Sequence, residues 1–419
     1  MATAIIGGGL IGLATAQALI DRGEEVFVIE ANDAVGCETS FANGGMLTPS
    51  LPEPWNGPGV FGHLLTSLFV PAAAMKLRLS AIPSLLTWGA SFIRHSSRPR
   101  YYAASLDNYR LARYSLQKTV EVAERFGLDF DFDDRGTLCT FGDSRALAGR
   151  MDLCLQLADA GLSARQLAVD EVVELEPALV PARYRLVGGI WLPDDARGDA
   201  HRFCRALAGV IVKQGGQVRC GSRVERLNTA NGRLHSLIVA GEQVQAERVV
   251  VAAGTGSRKL LRSVGLRLPV QPAKGYSITI EGEQLGPLPA VTIGDDATHT
   301  VMSVLGRRLR VAGTAEFAGY DKSLTPSRID ALFRSLDAVL PNIAARVRRD
   351  QVSEWTGLRP MSDDGRPIIG PTKVTGLYVN TGHGALGWTM AMGSGQLLAD
   401  QILGRDADID VRPYRPERR

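Results

Sequence analysis

Almost at its start the chain carries the stretch Ala4-Ile5-Ile6-Gly7-Gly8-Gly9-Leu10-Ile11-Gly12, which contains a G-x-G-x-x-G turn. The apolar residues before Gly7 suit a buried parallel strand, and the apolar spacing that follows suits a helix ending near Gly23. In such a turn the first glycine permits a tight bend, the second lets the backbone approach a pyrophosphate, and the third lets the helix pack closely on the strand. The helix N-terminus adds unpaired amides and a positive dipole end for the phosphates.

An acidic residue follows at the spacing that this motif requires. The next apolar run ends in Glu30, about 20 residues past the turn, where a carboxylate accepts hydrogen bonds from ribose hydroxyls. The alternative, a glycine-rich turn that binds nothing, is disfavoured because strand, helix and Glu30 occur in register. We therefore predict a site for an adenine dinucleotide, either NAD or FAD. Its residues are Gly7, Gly9, Leu10, Ile11, Gly12, Glu30 and Ala31.

Length and composition exclude several classes of protein. A chain of 419 residues, 45% of them hydrophobic, is long enough for two or three domains. Its 47 basic and 44 acidic residues give a net charge of +3, so we expect no nucleic-acid partner. The five cysteines include no C-x-x-C pair, and the histidines lack metal-ligand spacing, so we expect a cytoplasmic protein with neither disulfides nor a metal site. Because the first strand starts at residue 4, we also expect no signal peptide.

Residues 60–95 are apolar and sparsely charged. Pro71 and Pro83 interrupt this stretch and Lys76 and Arg78 lie within it, so it holds no continuous span for a transmembrane helix. Two interpretations stay open: helices that cover part of a second domain, or a patch that contacts a membrane surface peripherally.

Further along the chain, elements of a nucleotide-binding domain recur after a long interruption. Residues 101–127 have the pattern of a long amphipathic helix, and a helix at 200–214 leads into a strand near 217. The β-branched strand at 248–252 ends in the small residues Ala253 and Gly254, which let the backbone pass close to a cofactor. Distant segments therefore build one cofactor domain around an inserted domain.

Several longer motifs resemble one known family. They are Glu38 to Gly45 (E-T-S-F-A-N-G-G), Gly136 to Leu138, Glu174 to Leu179 (E-L-E-P-A-L), Pro272 to Ser277 (P-A-K-G-Y-S), Trp355 to Met361 (W-T-G-L-R-P-M) and Asn380 to Ala391 (N-T-G-H-G-A-L-G-W-T-M-A). The chain is similar, nearly end to end, to the glycine oxidase and D-amino acid oxidase superfamily. Within it the chain most resembles the FAD-dependent D-amino acid dehydrogenase small subunits.

The resemblance implies FAD as the cofactor and an α/β fold. We expect a Rossmann-like FAD-binding domain of the glutathione-reductase type, discontinuous in sequence, and an inserted α+β substrate domain with an antiparallel sheet. The predicted FAD-binding domain comprises residues 1–50, 150–260 and 350–419. The predicted substrate domain comprises residues 51–149 and 261–349.

Arg359 is the strongest candidate for substrate recognition. An arginine held on a rigid strand presents a planar fork that matches a carboxylate bidentately, which lysine cannot do. In the family that this chain resembles, the arginine of this L-R-P motif binds the substrate carboxylate. A structural ion pair is the alternative, because several acidic residues are close in sequence.

The resemblance extends the predicted site to other segments. Tyr276 and His383 are candidate catalytic and substrate-binding residues with Arg359, although a packed tyrosine and a structural histidine are the alternatives; Thr48 is a further substrate-binding candidate. The helix after Gly387 would aim its N-terminus at the flavin, where negative charge gathers on reduction. The remaining cofactor-binding candidates are Glu38, Thr39, Ser40, Asn43, Gly44, Gly45, Met46, Val224, Ala253, Gly254, Gly357, Arg359, Gly384, Leu386, Gly387, Trp388 and Thr389.

These residues predict oxidative deamination of D-amino acids to 2-oxo acids and ammonia, by hydride transfer from Cα to the flavin N5. The resemblance implies a quinone or respiratory-chain electron acceptor, and with it a location in the cytoplasm or at the cytoplasmic face of the inner membrane. The alternatives are a D-proline or D-hydroxyproline dehydrogenase, an oxygen-using D-amino acid or glycine oxidase, and a flavin-binding assembly protein without catalysis. A tRNA-modifying flavoprotein would require a basic surface that the net charge of +3 does not suggest.

Overall fold

The structure is a computed structural model that describes residues 2–62 and 75–418. Most strands of the described residues belong to two large sheets. In chain order these strands are β1 Thr3–Ile6, β2 Val26–Ile29, β3 Met46–Leu47, β4 Met75–Leu77, β5 Thr137–Phe141, β6 Arg165–Leu167, β7 Gly188–Leu192, β8 Ala196–Arg197, β9 Gln217–Arg219, β10 Val224–Ala230, β11 Arg233–Val239, β12 Glu242–Gln245, β13 Arg248–Val251, β14 Val270–Glu281, β15 Thr292–Asp295, β16 Thr300–Leu305, β17 Arg308–Phe317, β18 Ser353–Ser362, β19 Ile368–Pro371 and β20 Leu377–Thr381.

Helices cover the sheets and connect them. The α-helices of the described residues are α1 Leu10–Ile20, α2 Ile82–Arg94, α3 Arg98–Phe126, α4 Ser144–Leu157, α5 Val169–Leu175, α6 Ala200–Lys213, α7 Ser257–Arg262, α8 Pro326–Val339, α9 Pro341–Ala344 and α10 Ala391–Leu403. The predicted helices at 10–23, 101–127 and 200–214 are thus confirmed, with ends shifted by a few residues.

The first sheet has the strand order β19-β20-β13-β1-β2-β9. All its neighbouring pairs are parallel except β19 with β20. Strand β1 is central and completely buried, which explains its uninterrupted apolar sequence. A separate antiparallel sheet, β10-β11-β12, is inserted before β13. This architecture confirms the predicted α/β class.

The glycine turn after β1 has the conformation that the motif predicts. Gly7 adopts a φ of +115°, a region that disfavours other residues, and a Cβ atom there would lie 2.6 Å from the carbonyl oxygen of Ala252. A Cβ atom on Gly12 would clash with the carbonyl oxygen of Gly7. The two glycines therefore permit the bend and the close packing of α1 on β1.

The second sheet contains nine strands, eight of them in the order β18-β14-β17-β16-β15-β5-β7-β6, with β4 beside β17. Strand β14 lies between β17 and β18 and is antiparallel to both. Helix α8 covers one face, where Leu332 and Leu336 join Ile278 and Val311 in a common core. The sheet was predicted to be antiparallel but is mixed, because β15 with β5 and β17 with β4 are parallel pairs. Its strand β18 carries Arg359.

The predicted domain boundaries need correction in three places. Strands β6, β7 and β18 pair within the nine-stranded sheet, although residues 150–260 and 350–419 were predicted to belong to the FAD-binding domain. Conversely, α3, predicted within 51–149 of the substrate domain, packs Leu111 and Val122 into the core that contains Leu13 of α1 and Leu397 of α10. Strand pairing and helix packing join residues that are remote in sequence, so the boundaries could not be read from local composition.

Only part of the apolar stretch at 60–95 can be compared with its two interpretations, because residues 63–74 lie outside the described residues. Helix α2 buries Trp88 and Phe92 beside Phe317 of β17. Leu79 and Leu86, by contrast, are 71% and 65% exposed. Among residues 2–62 and 75–418, no helix is long and apolar enough to cross a membrane.

Candidate functional site

A cavity of about 880 Å³ lies where the carboxyl ends of β1, β2, β13 and β20 approach β18. This edge of a parallel sheet is the usual place for a ligand in such folds. Many residues predicted to bind the cofactor line it. They are Gly7, Gly9, Leu10, Ile11, Glu30, Ala31, Glu38, Thr39, Ser40, Asn43, Val224, Ala253, Gly254, Arg359, Gly384, Gly387 and Trp388.

One end of the cavity is formed by the glycine turn and Glu30. The Glu30 carboxylate accepts hydrogen bonds from the backbone N–H of Gly8 at 2.6 Å and from the backbone and side chain of Asn32 at 2.8 and 2.6 Å. These contacts fix the carboxylate at the cavity wall. Both Asn32 donors bind Oε1, whereas Oε2 accepts only from Gly8 and keeps a lone pair for a further donor. At the start of α1, the N–H of Leu10 lies 3.3 Å from Ser40 Oγ.

The other end contains Arg359. Its guanidinium Cζ lies 5.2 Å from the centre of the Trp55 ring, and one of its terminal nitrogens, Nη1, is buried with no hydrogen-bond partner among the described residues. The side chain lies over Gly275 of the neighbouring strand, where a Cβ atom would be 2.5 Å from Cζ. Glycine at position 275 therefore provides the space that the guanidinium occupies.

Burial lowers the pKa of Arg359 to about 10, so the group stays cationic at neutral pH. No carboxylate of the described residues forms an ion pair with it, which argues against the alternative of a structural ion pair. A buried cation without a partner is costly, and an anionic ligand would remove that cost. The site is therefore suited to a carboxylate.

His383 also lines the cavity, at the end of β20. Its Nε2 lies 2.8 Å from Ser394 Oγ, and because that hydroxyl donates to the carbonyl of Met390, Nε2 must be the protonated nitrogen. Nδ1 is buried and has no hydrogen-bond partner among the described residues. Burial lowers the pKa of His383 to about 3, so the ring is neutral at physiological pH and offers Nδ1 as an acceptor.

Tyr276 does not line the cavity, contrary to the prediction that it contacts the substrate. Its register partner on β18 is Thr356, so it projects from the face of the sheet opposite to that of Gly275 and Arg359. The buried hydroxyl donates to Glu316 Oε2 at 2.6 Å and lies 2.8 Å from Thr325 Oγ1. Burial and the Glu316 carboxylate raise its pKa. Tyr276 is therefore part of a polar cluster behind the sheet.

Other predicted residues stand close to the site without lining the cavity. The Thr48 N–H donates to Thr389 Oγ1 at 3.1 Å, and both residues are buried. The ring of Trp355 covers Gly357. Among the described residues, those predicted for the site but absent from the cavity wall are Gly12, Gly44, Gly45, Met46, Thr48, Tyr276, Gly357, Leu386 and Thr389.

The sequence analysis missed a basic part of the wall. Arg223, Arg258, Lys259 and Arg262 line the cavity beside Val224 and Gly254, and their proximity to those predicted positions was an available signal. Tyr320 and Lys322 also line it, from the loop between β17 and α8. Lys322 Nζ forms an ion pair with Glu38, and no local pattern indicated that this loop would reach the cavity.

Nearly the whole chain is similar to known proteins. Residues 2–401 match the family described as FAD dependent oxidoreductase. The chain is 37% identical to a D-amino acid dehydrogenase of Paramagnetospirillum magneticum, over 98% of this chain and 97% of the relative. It is 38% identical to a D-amino acid dehydrogenase of Xanthobacter autotrophicus, over 97% of this chain and 96% of the relative.

Solved structures share the fold. Glycine oxidase from Geobacillus kaustophilus superposes with a TM-score of 0.77 at 23% identity, covering 100% of this chain and 98% of the other. L-proline dehydrogenase from P. horikoshii superposes with a TM-score of 0.76 at 18% identity, covering 99% and 96% of the two chains. At these identities the likeness concerns the fold alone.

Proposed function

Because the chain belongs to the FAD dependent oxidoreductase family and is an FAD-dependent enzyme, we propose that it oxidises D-amino acids to 2-oxo acids and ammonia. The observation that carries the proposal is the buried, unpaired guanidinium of Arg359 in the same cavity as Glu30 and the glycine turn. One end suits the adenosine part of a dinucleotide, and the other suits the carboxylate of a small substrate.

The residues present fit FAD. Gly7, Gly9 and the first turn of α1 would hold the pyrophosphate, and Glu30 would accept hydrogen bonds from the ribose. Near the other end, His383 Nδ1 is a buried acceptor without a partner, and the Gly384 to Trp388 segment supplies backbone at the cavity wall. The cavity therefore offers phosphate-binding amides at the glycine turn and polar groups for a ring system at the end near Arg359.

When bound, FAD supplies a two-electron acceptor for the hydride that leaves the substrate Cα. Arg359 binds the substrate carboxylate bidentately and thereby fixes the direction in which Cα–H points. Its packing against Gly275 and Trp55 limits the motion of the guanidinium. The main contribution of these side chains is orientation of the substrate.

Proton transfer to His383 is not needed in this scheme. A ring whose pKa lies at about 3 is a poor proton acceptor at neutral pH. If the substrate amine binds in its neutral form, the nitrogen lone pair assists loss of the hydride, and a cationic imino acid results. Water then hydrolyses the imino acid to the 2-oxo acid and ammonia. His383 would instead position the ring system through its neutral Nδ1.

The substrate class follows the names of the relatives, which are D-amino acid dehydrogenases. D-Proline and D-hydroxyproline remain candidate substrates, because a carboxylate held by Arg359 is common to all of these compounds. Two kinds of electron acceptor are alternatives for reoxidation of the flavin: oxygen, and a quinone or other respiratory component.

Anaerobic reduction of the bound flavin tests the proposal. D- and L-amino acids, D-proline and D-hydroxyproline would be mixed separately with the holoenzyme, and loss of the oxidised flavin absorbance would be followed. We expect reduction by at least one D-amino acid or D-imino acid. Absence of reduction by every D-compound would contradict the proposal and favour a flavin-binding protein without catalysis.

Two variants separate recognition of the carboxylate from binding of FAD. Arg359→Ala should raise the substrate concentration for half-maximal reduction by about 100-fold or more, because a buried charge-assisted pair is lost. Arg359→Lys should recover only part of this loss, since lysine cannot form the bidentate contact. Both variants should retain FAD, and unchanged kinetics in Arg359→Ala would remove the residue from the substrate site.

For the electron acceptor, we propose a quinone or another respiratory component at the cytoplasmic face of a membrane. Three exposed apolar residues recur at every seventh position of α2 and the turn before it, so they share one face. They are Leu79, Leu86 and Ile93. The exposed Arg94, Arg98 and Arg100 follow this face and suit anionic headgroups. The apolar stripe and the basic cluster support a peripheral contact.

A further inference from the structure

The loop that joins β17 to α8, residues 318–325, reaches from the second sheet to the wall of the cavity, and we call it the strap. Its side chains alternate in direction, as they do in extended backbone. Tyr320 and Lys322 line the cavity. Asp321 and Thr325 instead contact polar residues behind the second sheet. The strap is therefore held on one side and faces the cavity with the other.

Lys274 of β14 is the main anchor of the strap. Its side chain is completely buried, although it lies in the P-A-K-G-Y-S motif at 272–277, where no role has been assigned to it. The ammonium Nζ donates to the carbonyl of Ser323 at 2.6 Å and to Asp321 Oδ2 at 3.2 Å. It also lies 3.6 Å from Glu316 Oε2. Because a buried ammonium needs partners for its charge and its donors, Lys274 fixes the position of the two strap residues.

Arg78 attaches the strap a second time. Its Nη1 donates to Asp321 Oδ2 at 2.9 Å, and its Nη2 donates to Thr325 Oγ1 at 3.0 Å. Its Nε donates to Glu316 Oε1 at 2.7 Å, which ties the same guanidinium to β17. The Tyr276 hydroxyl lies 2.8 Å from Thr325 Oγ1. The polar cluster behind the sheet thus holds the half of the strap that precedes α8.

The cavity side of the strap makes two contacts with the FAD-binding part of the chain. The Tyr320 hydroxyl lies 3.4 Å from the carbonyl oxygen of Thr255, which follows β13. Lys322 Nζ forms an ion pair with Glu38, which follows β2. Tyr320 is 55% exposed, and the Lys322 side chain is 50% exposed. Neither side chain is held by packing, so both depend on the strap backbone for their position.

These two contacts lie on either side of the glycine turn. In the first sheet β1 is between β13 and β2, so the turn after β1 lies between Thr255 and Glu38. Ser40 Oγ, two residues after Glu38, is 3.3 Å from the N–H of Leu10 at the start of α1. This helix N-terminus is the usual place for the diphosphate of a dinucleotide. The strap therefore crosses the cavity at the place predicted for the diphosphate.

We propose that the strap closes over the diphosphate of bound FAD, and that Lys274 positions it. Lys322 adds a positive charge beside the diphosphate, and Tyr320 attaches the strap to the opposite side of the glycine turn. Lys274 acts through the strap and does not touch the cofactor. This role concerns retention of FAD, so it goes beyond the proposed function and does not depend on the substrate that is oxidised.

The rate of FAD release from the holoenzyme tests the strap without substrate. Holoenzyme would be diluted, and the flavin still bound to protein would be measured after rapid desalting at successive times. Lys322→Met should release FAD about tenfold faster or more, because a charge-assisted contact is lost. Lys213→Met, at an exposed lysine at the end of α6, is the matched control and should release FAD as wild type does. Release at the wild-type rate in Lys322→Met would overturn the proposal.

A double variant distinguishes positioning from a separate structural role. Lys274→Met should also accelerate FAD release, and the double variant with Lys322→Met should be no faster than the faster single variant, because both changes remove the same contact. Additive effects would show that Lys274 does not act through the strap. Asp321→Asn alters the same ion pair at a partly exposed side chain, so it replaces Lys274→Met in this comparison if that variant does not fold.

Limited proteolysis reports the position of the strap directly. Trypsin can cut between Lys322 and Ser323, and this bond should be cut about tenfold more slowly in the holoenzyme than in the apoenzyme. The protection should be lost in the Lys274→Met holoenzyme. Cleavage between Lys213 and Gln214 is the internal control, because local closure of the strap should not change it. Equal cleavage after Lys322 with and without FAD would also overturn the proposal.

Discussion

The guanidinium of Arg359 lies directly over Gly275, its diagonal neighbour on the adjacent strand β14: a Cβ atom on Gly275 would be 2.5 Å from Arg359 Cζ and Nη1. The two residues lie in adjacent antiparallel strands whose register pairs Ala273 with Arg359 and Gly275 with Gly357. The absence of a side chain at position 275 thus determines where the guanidinium charge, which we propose binds the substrate, is held.

Gly275→Ala should displace the guanidinium while β14 stays intact, because the residue is in extended strand and does not need a positive φ. A misplacement of about 1 Å can cost about 100-fold in kcat/KM, and we expect a loss of that order. Steady-state kinetics with a D-amino acid would measure it. Gly149→Ala, in helix α4 where a Cβ atom meets nothing within 4 Å, is the control. Wild-type kinetics in Gly275→Ala would contradict this account.

Tyr276→Phe should affect stability and leave substrate recognition intact. The Glu316 carboxylate would lose a buried hydrogen bond, which corresponds to about 1.5–3 kcal/mol in the free energy of unfolding. Urea denaturation and the KM of the same preparation would be compared with wild type. A large increase in KM without loss of stability would return Tyr276 to the substrate site.

Glu30→Ala should weaken FAD binding. The variant removes the proposed acceptor for the ribose and leaves the N–H of Gly8 without its partner, so we expect a dissociation constant for FAD about tenfold or more higher. Titration of the apoenzyme with FAD would measure the change. Glu25 is an exposed residue directly before β2, and Glu25→Ala should leave the affinity for FAD unchanged. Equal affinities in the two variants would exclude a role for Glu30.

His383 should make the protein less stable as the pH falls. Burial lowers its pKa from 6.5 to about 3 in the folded protein, so below pH 6.5 the unfolded chain binds a proton that the folded chain does not. As the pH falls below 6.5, this group therefore lowers the free energy of unfolding by about 1.4 kcal/mol per pH unit. Above pH 6.5 the ring is neutral in both states and causes no such loss.

The His383→Gln variant tests this effect. Its free energy of unfolding, measured in urea with saturating FAD, should depend less on pH than that of wild type between pH 6.5 and 5.5. Identical pH dependence in the two proteins would show that His383 is not held neutral by the fold.

Leu86→Glu should reduce binding to vesicles that contain anionic lipid. The substitution places a carboxylate in the exposed apolar face of α2, which both opposes insertion and repels the headgroups. Cosedimentation would measure the bound fraction, with Leu155→Glu at another exposed leucine as the control. If both variants bind vesicles as wild type does, the membrane contact does not involve α2.

The sequence predicted the features that depend on neighbouring residues. The order strand, glycine turn, helix and Glu30 extends over fewer than about 30 residues, and each step has a local cause: apolar periodicity, positive φ at Gly7 or close packing at Gly12. The resemblance added Arg359 and His383, and both line the cavity with Glu30.

The tertiary structure decided which face each strand presents and which remote segments meet. Alternation along β14 places Tyr276 behind the sheet and Gly275 under Arg359, and a shift of one residue would exchange them. Likewise, part of the cavity wall is formed by Arg258, Tyr320 and Lys322. It exists only because helix α7, which follows β13 of the first sheet, meets the loop after β17 of the second sheet. Strand pairing and side-chain packing are cooperative over the whole chain, so local patterns could predict the elements of this site but not all of the side chains that complete it.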